Sequence, residues 1–289
     1  MRSLTEPSRW SLPTPEHASG CFETMRAYQG RIFRLTAHLE RLYASANYLG
    51  VQIALSHSQL RTRLVKALEA SGMREAIVRV AVIPACPDER GAGREQREAG
   101  RPNGRRMASP SLVVQKVVPP APTLYHRGIR VAIVPTRKFP NEVIDPQAKY
   151  SARLSSVLAT IEAQLRDTDE AIFMDDMGYV TESTASNLGM IKDGILVTPP
   201  CWLGLLAGIT RQVLFELAEE LAIPVREIPL TRHELYNADE ALLSSTTKEI
   251  LPLTVIDGRR IGTGKPGPYT RRLHRAFRQL VRRELRMTV

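Results

Sequence analysis

The chain has 289 residues, 43% hydrophobic and 24% charged, with a formal net charge of +10. These are globular proportions at a length beyond the needs of one small core, which excludes disorder as the main state. No apolar run reaches the ~18–20 residues of a membrane span, and the N-terminal stretch lacks the apolar centre of a signal peptide, so a cytoplasmic protein is expected.

Hydrophobic periodicity alternates between two and 3.6 along the chain, which is the signal of an α/β or α+β fold, here read as α/β. Phe22–Tyr28 reads as a strand, and Gln29-Gly30 turns it into a second over Arg31–Leu35. Thr36 is a fitting N-cap for a helix to Tyr48, with Leu39, Leu42 and Ala46 on one face. A second helix over Ser58–Ala70 carries Leu60, Leu64 and Leu68 at helical spacing. Ala76–Ile83 and Leu112–Val118 are β-rich and expected to pair. Residues 84–110 between them are aperiodic and rich in Gly and Arg, and read as a mobile loop. Pro119-Pro120-Ala121-Pro122 then interrupts the pattern. It divides a small α/β domain (residues 1–118) from a larger one (129–289) through a linker at 119–128. The larger unit reads as a strand at Ile129–Val134, a helix at Ser155–Leu165 and a strand at Glu170–Met174. Two hairpins follow, the second turning at Lys192-Asp193-Gly194. A helix over Thr210–Leu221, strands at Ala241–Ser245 and Leu253–Ile256, and a closing helix over Tyr269–Leu285 complete it.

The positive charge is concentrated. Arg271–Val289 holds seven arginines against the single acid Glu284, and Asp88–Arg106 holds six against four acids. No aromatics interleave them and no nucleic-acid-reading motif accompanies them, so both read as solvated basic surfaces, and no nucleic-acid partner is expected. Cys21, Cys86 and Cys201 lie far apart and make no CxxC pair, which suits a reducing compartment. The six histidines form neither HxH nor HExxH, and no metal site is expected.

Four separated features carry chemistry. Lys149 lies between a strand and a helix in a stretch with few other charges. Alone it is an ordinary surface lysine; functionally it is a candidate Schiff-base lysine, whose amine reacts only when partly desolvated. Glu182 stands among small polar residues in Val180–Leu188. Alone that is a polar turn; functionally it is a carboxylate for a protonated ring nitrogen. Gly208-Ile209-Thr210 opens the amphipathic helix, where free N–H groups and the positive end of the dipole form a phosphate cup. Ser244-Ser245-Thr246-Thr247 ends a strand with hydroxyls that complete such a cup. Together these parts suit pyridoxal 5'-phosphate: an amine for its aldehyde, a carboxylate for its ring nitrogen, two turns for its phosphate.

In this order, with CFETMRAYQGRIFRLTAHLERLYASA, VTESTASNLGMIKDGILVTPP, LAGITR and ALLSSTTKEILPLTVIDG, the chain resembles the fold-type IV pyridoxal-phosphate enzymes from about Cys21 to Phe277. These are the class IV aminotransferases, a group holding branched-chain and D-amino acid aminotransferases and 4-amino-4-deoxychorismate lyases. The resemblance implies two α/β domains with the cofactor between them, and a homodimer. It implies Lys149 and Glu182 as the catalytic residues and Arg41, Leu206, Gly208, Ile209, Thr210 and Thr246 as further cofactor contacts. Phe22, Glu23 and Thr247 would lie on the substrate side. The implied activity is transfer of an amino group between an amino acid, of branched-chain or D type, and a 2-oxo acid. The alternative is 4-amino-4-deoxychorismate lyase, releasing pyruvate and 4-aminobenzoate. Arg153-Leu154 looks lyase-like, whereas SSTTKEILPL looks aminotransferase-like and is given the greater weight.

Overall fold

The computed structural model describes residues 20–84 and 106–286. Strand β1 (Cys21–Tyr28) is the centre of a four-stranded antiparallel sheet with β2 (Arg31–Ile32), β4 (Ala76–Val82) and β6 (Pro110–Lys116), in the order β2-β1-β4-β6. The expected pairing of the two β-rich segments is realised, with Ala76 opposite Lys116. Helices α1 (Leu35–Tyr48) and α2 (His57–Ala70) cover one face. Leu39, Leu42, Leu60, Leu64 and Leu68 pack there against Met25, Val78 and Val80 of the strands.

Helix α1 begins two residues before the sequence predicts helical structure to start. Arg34 is its N-cap, in the left-handed region at φ 53°, with no side-chain cap. Its guanidinium instead pairs with Glu216 and Glu284. Thr36 is already inside the helix, where its hydroxyl accepts a bond from Arg61. A capping box of Ser56 and Gln59 starts α2. Of the stretch read as a mobile loop, residues 85–105 lie outside the described residues, as do the N-terminal 1–19. Residues 106–110 are not loop. Strand β5 (Arg106–Ala108) pairs in parallel with β3 (Val51–Ile53), and Pro110 already belongs to β6.

The proline-rich interruption leads into a short helix, α3 (Pro122–Arg127), whose Leu124 and Tyr125 pack on the larger core. Beyond it lie β7 (Ile129–Ile133), α4 (Leu154–Leu165), β8 (Glu170–Met174), β9 (Tyr179–Ser183), β10 (Asn187–Lys192), β11 (Ile195–Thr198) and α5 (Ile209–Glu220). There follow β12 (Val225–Glu227), β13 (Leu230–Thr231), α6 (Arg232–Tyr236), β14 (Glu240–Ser245), β15 (Glu249–Ile256), β16 (Arg259–Arg260) and α7 (Pro268–Arg286). Strand β15 begins four residues before the expected Leu253. Pro252, which argues against a central strand, lies opposite Leu242 within it.

The sheet path β10-β14-β15-β7-β8-β9 returns to β10 through the pair Asn187–Glu182, closing the sheet on itself. Ile129, Val131, Ile172, Val180, Leu188, Leu243 and Leu251 belong to the core of this closed sheet. The catalytic candidate Glu182 therefore sits where the closure is made.

Candidate active site

Lys149 lies in the connection from β7 to α4, and that connection is tied to the small sheet. Phe22 N–H donates to the Lys149 carbonyl at 3.1 Å, Ser151 N–H to the Gly20 carbonyl at 2.9 Å, and Lys149 N–H to Ser45 Oγ at 2.9 Å. The lysine backbone is thus fixed on both sides while its side chain enters a cavity of about 720 Å³. Its amine is held down to about 8 against an ordinary 10.5. Burial is the main cause; the charges of Arg41 and Arg153 add to it, and Glu23 and Glu182 oppose it.

Across the same cavity Glu182 is fully engaged. Lys138 Nζ donates to Oε1 at 2.5 Å, and Asn187 Nδ2 and the Leu206 N–H donate to Oε2 at 3.0 and 3.2 Å. A carboxylate held by a cation and two N–H donors is fixed in position as a hydrogen-bond acceptor, the arrangement a protonated ring nitrogen needs opposite it. Asn187 also donates to the Leu206 carbonyl at 2.8 Å, which aligns Leu206 with the carboxylate.

Gly208 is the N-cap of α5 and has no side chain to cap the helix, so the first-turn N–H groups of Ile209 and Thr210 are open to the cavity. A Cβ added at Gly208 would stand 1.9 Å from Asn187 Oδ1, so only glycine allows this approach. Arg41 Nη1 donates to the Ala207 carbonyl at 2.9 Å, setting the guanidinium beside the turn.

The opposite turn, Ser244–Thr247, is secured from behind. Glu249 is buried, with a left-handed φ of 56°. Its carboxylate accepts from Arg26 Nη1 at 2.9 Å, His274 Nε2 at 2.8 Å, Arg278 Nε at 3.0 Å and the Tyr28 hydroxyl at 3.3 Å. Although burial raises it, these partners hold Glu249 down at about 2. Lys248 reaches back to the buried Glu170, which also accepts from Ser183 and Thr184 beside Glu182. The two halves of the site are thereby braced against each other.

The structure brings Phe22, Arg41, Lys149, Glu182, Leu206, Gly208, Ile209, Thr210, Thr246 and Thr247 onto one cavity wall system. It does not bring Glu23. Successive residues of β1 face opposite ways, so Phe22 and Thr24 look into the cavity while Glu23 points behind the sheet. There it is completely buried, accepting from Arg41 Nε at 2.6 Å, Arg41 Nη2 at 2.9 Å and His38 Nδ1 at 2.8 Å. Glu23 is a support for Arg41, not a substrate contact. Sequence reading did not place Thr24, Arg79, Lys138, Arg153 or Asn187 in the site. Strand alternation could have found Thr24; the others come from segments that meet only in the fold.

The family model for amino-transferase class IV matches residues 20–256. The chain belongs to class IV of the aminotransferases. This aminotransferase is 32% identical over 280 residues to the branched-chain-amino-acid aminotransferase of Pseudomonas aeruginosa, covering 93% of this chain and 86% of that one. The crystal structure of the branched-chain aminotransferase from Thermoproteus uzoniensis with norvaline superposes with a TM-score of 0.81 at 31% identity, covering 94% of this chain and 90% of that one. The branched-chain amino acid aminotransferase from Thermobaculum terrenum, in its PLP-form, gives 0.82 at 25% identity, covering 95% and 89%. The enzyme uses pyridoxal 5'-phosphate. Its residues fit that group: a depressed amine, a carboxylate held by three donors on the same cavity, and a side-chain-free turn beside an arginine.

Proposed function

We propose that this aminotransferase exchanges the amino group of a branched-chain amino acid for the oxygen of a 2-oxo acid, with Lys149 and Glu182 as its catalytic residues. One observation carries the reading: a lysine amine lowered to about 8 opens into the same cavity as a carboxylate held by three donors. Pyridoxal 5'-phosphate, when bound, supplies an aldehyde that condenses with amines and a ring that accepts the electron pair left by the departing α-proton. Lys149 Nζ would hold that aldehyde and, when freed from it, would be the base placed to take a proton and return it. The lowered value leaves more of the amine neutral near pH 7 than an ordinary lysine has, which suits Lys149 to act as a base.

Glu182, oriented by Asn187, would face the ring nitrogen, and Arg41, the Ile209 and Thr210 N–H groups and Thr246 would hold the phosphate. Arg41 has spent three of its donors on Glu23 and Ala207 and keeps two for that purpose. Leu206 would pack on the ring, and Phe22 lies against the lysine amine, which stands 4.8 Å from its ring centroid. Thr24, Thr247 and the exposed Arg79 face the remaining volume, where a guanidinium suits the carboxylate of either substrate.

Helix α4 supports a homodimer. Its buried face is made of Ala159 and Ala163, while Leu154, Val157, Leu158, Ile161 and Leu165 face outward, Leu165 at 83% exposure. This is the reverse of a helix that finds its partners within one chain. Val157 and Ile161 also line the catalytic cavity, so a second copy on this stripe would close the site. Among the described residues no helix is long and apolar enough to cross a membrane. The free thiols Cys21 and Cys201 accord with a cytoplasmic location.

Mixing the enzyme with single amino donors tests the reading. L-Leucine or L-glutamate is expected to bleach the ~400–430 nm band of the lysine-bound cofactor and raise one near ~330 nm, with a 2-oxo acid reversing it. Bleaching by D-alanine but by neither L-donor would reassign the hand of the substrate. Bleaching by none, together with release of 4-aminobenzoate from 4-amino-4-deoxychorismate, would overturn the assignment.

A further inference from the structure

The charges around Lys149 divide into pairs and a remainder. Arg41 faces Glu23, and Lys138 faces Glu182. Arg153, four residues after the lysine and directly before α4, pairs with no carboxylate among the described residues. Its Nη2 donates instead to the Thr184 carbonyl and, at 3.1 Å, to Ser156 Oγ. That clamp fastens the guanidinium to the segment following Glu182, on the lining of the cavity. Its Cζ stands 5.9 Å from the centroid of the Phe22 ring, and Lys149 Nζ stands 4.8 Å from the same centroid.

We propose that Arg153 is a positioning residue for Lys149: a fixed, unpaired positive charge that shares the Phe22 ring with the lysine amine and holds that amine in its uncharged, proton-accepting form. This rests on the reading of Lys149 as the reactive lysine. A guanidinium keeps its charge at every working pH, so its effect does not switch off where the enzyme operates. Both groups lie against the same aromatic ring in a partly buried site, where repulsion between charges is screened less than at an exposed surface.

Arg41 also repels the ammonium form but is itself paired with Glu23, and the remaining groups facing Lys149 attract it, are neutral or are screened. From β1, Glu23 attracts the ammonium form but is matched by Arg41 of α1. From β9, Glu182 attracts it and is matched by Lys138. His38 of α1 is pushed toward its neutral form by burial. Tyr150, next to the lysine, is raised by burial and stays protonated. Arg79 of β4 is exposed and therefore screened. Arg153 is the cation left over.

The test compares Arg153→Gln, Arg153→Met and Arg153→Lys in the full chain. The first readout is the pH midpoint of the ~400–430 nm band with cofactor bound. The second, in the cofactor-free protein, is the pH midpoint of Lys149 acylation by acetic anhydride, followed by peptide mass spectrometry. Removing the charge as Gln or Met is expected to raise both midpoints by about one pH unit, while Lys keeps them within about 0.3 of wild type. Midpoints unmoved in whichever of the Gln and Met variants folds would overturn the inference. So would a Lys variant that shifts together with them, since the clamp rather than the charge would then be responsible. Borohydride reduction of the holoenzyme separates the two levels: an adduct on a lysine other than Lys149 sinks the underlying reading, whereas an adduct on Lys149 with unmoved midpoints sinks only the role of Arg153.

Discussion

Replacing Glu23 by Gln removes a charge that no solvent reaches. Wild-type Glu23 has zero exposure and takes two bonds from Arg41 and one from His38. Desolvation alone would raise its carboxyl, but the Arg41 charge and the bonds from His38 and Arg41 reverse this and bring it to about 2 from 4.5. A group lowered on folding contributes stability in full above its unfolded value and loses it as pH falls through its folded value. The window is therefore from about 4.5 down to about 2, and the contribution near neutrality is on the order of 3 kcal/mol. The same magnitude follows from leaving Arg41, at 13% exposure, without its counter-charge.

Urea unfolding of wild type and Glu23→Gln at several pH values measures this directly. The variant is expected to be less stable by about 3 kcal/mol at pH 7, with the gap closing progressively below pH ~4.5. A loss under about 1 kcal/mol at pH 7, or a gap that stays constant into acid, would refute the argument. Cofactor retention should fall as well, because Arg41 is aimed at the α5 turn by the bonds that the variant weakens.

Lys149→Ala should fold with an unchanged circular dichroism spectrum and lose both turnover and the ~400–430 nm band; persistence of the band would assign it to another lysine. Gly208→Ala brings a Cβ to 1.9 Å from Asn187 Oδ1, so the turn must shift, and cofactor affinity measured by equilibrium dialysis should fall at least ~10-fold. Unchanged affinity would remove that turn from the phosphate site. Leu158→Glu places a charge in the outward stripe of α4 and should convert a dimer to a monomer in sedimentation, with activity lost alongside. A monomeric wild type would contradict the homodimer.

Much of the site was legible before any coordinates because its parts are local. Lys149, Glu182, Gly208-Ile209-Thr210 and Thr246 each sit at the end of an element, where a turn exposes backbone N–H groups or a short side chain, and turns are written in neighbouring residues. The longer elements from β1 to α7 were likewise legible, since periods of two and 3.6 are properties of short windows, whereas the short β3, β5, α3, β12, β13, α6 and β16 were not. The role of Glu23 was not. It depends on which face of β1 meets α1 and which meets the cavity, a choice made by packing Cys21 and Met25 against the helices. Nor were Lys138, Asn187 and Arg153, whose partners lie 44, 5 and 31 residues away in the chain. Even the near pair Asn187–Glu182 exists only because β9 meets β10 and closes the sheet. Local sequence determines where a reactive group is placed on its element; the charges that tune it arrive from segments whose meeting is settled by burying one common core.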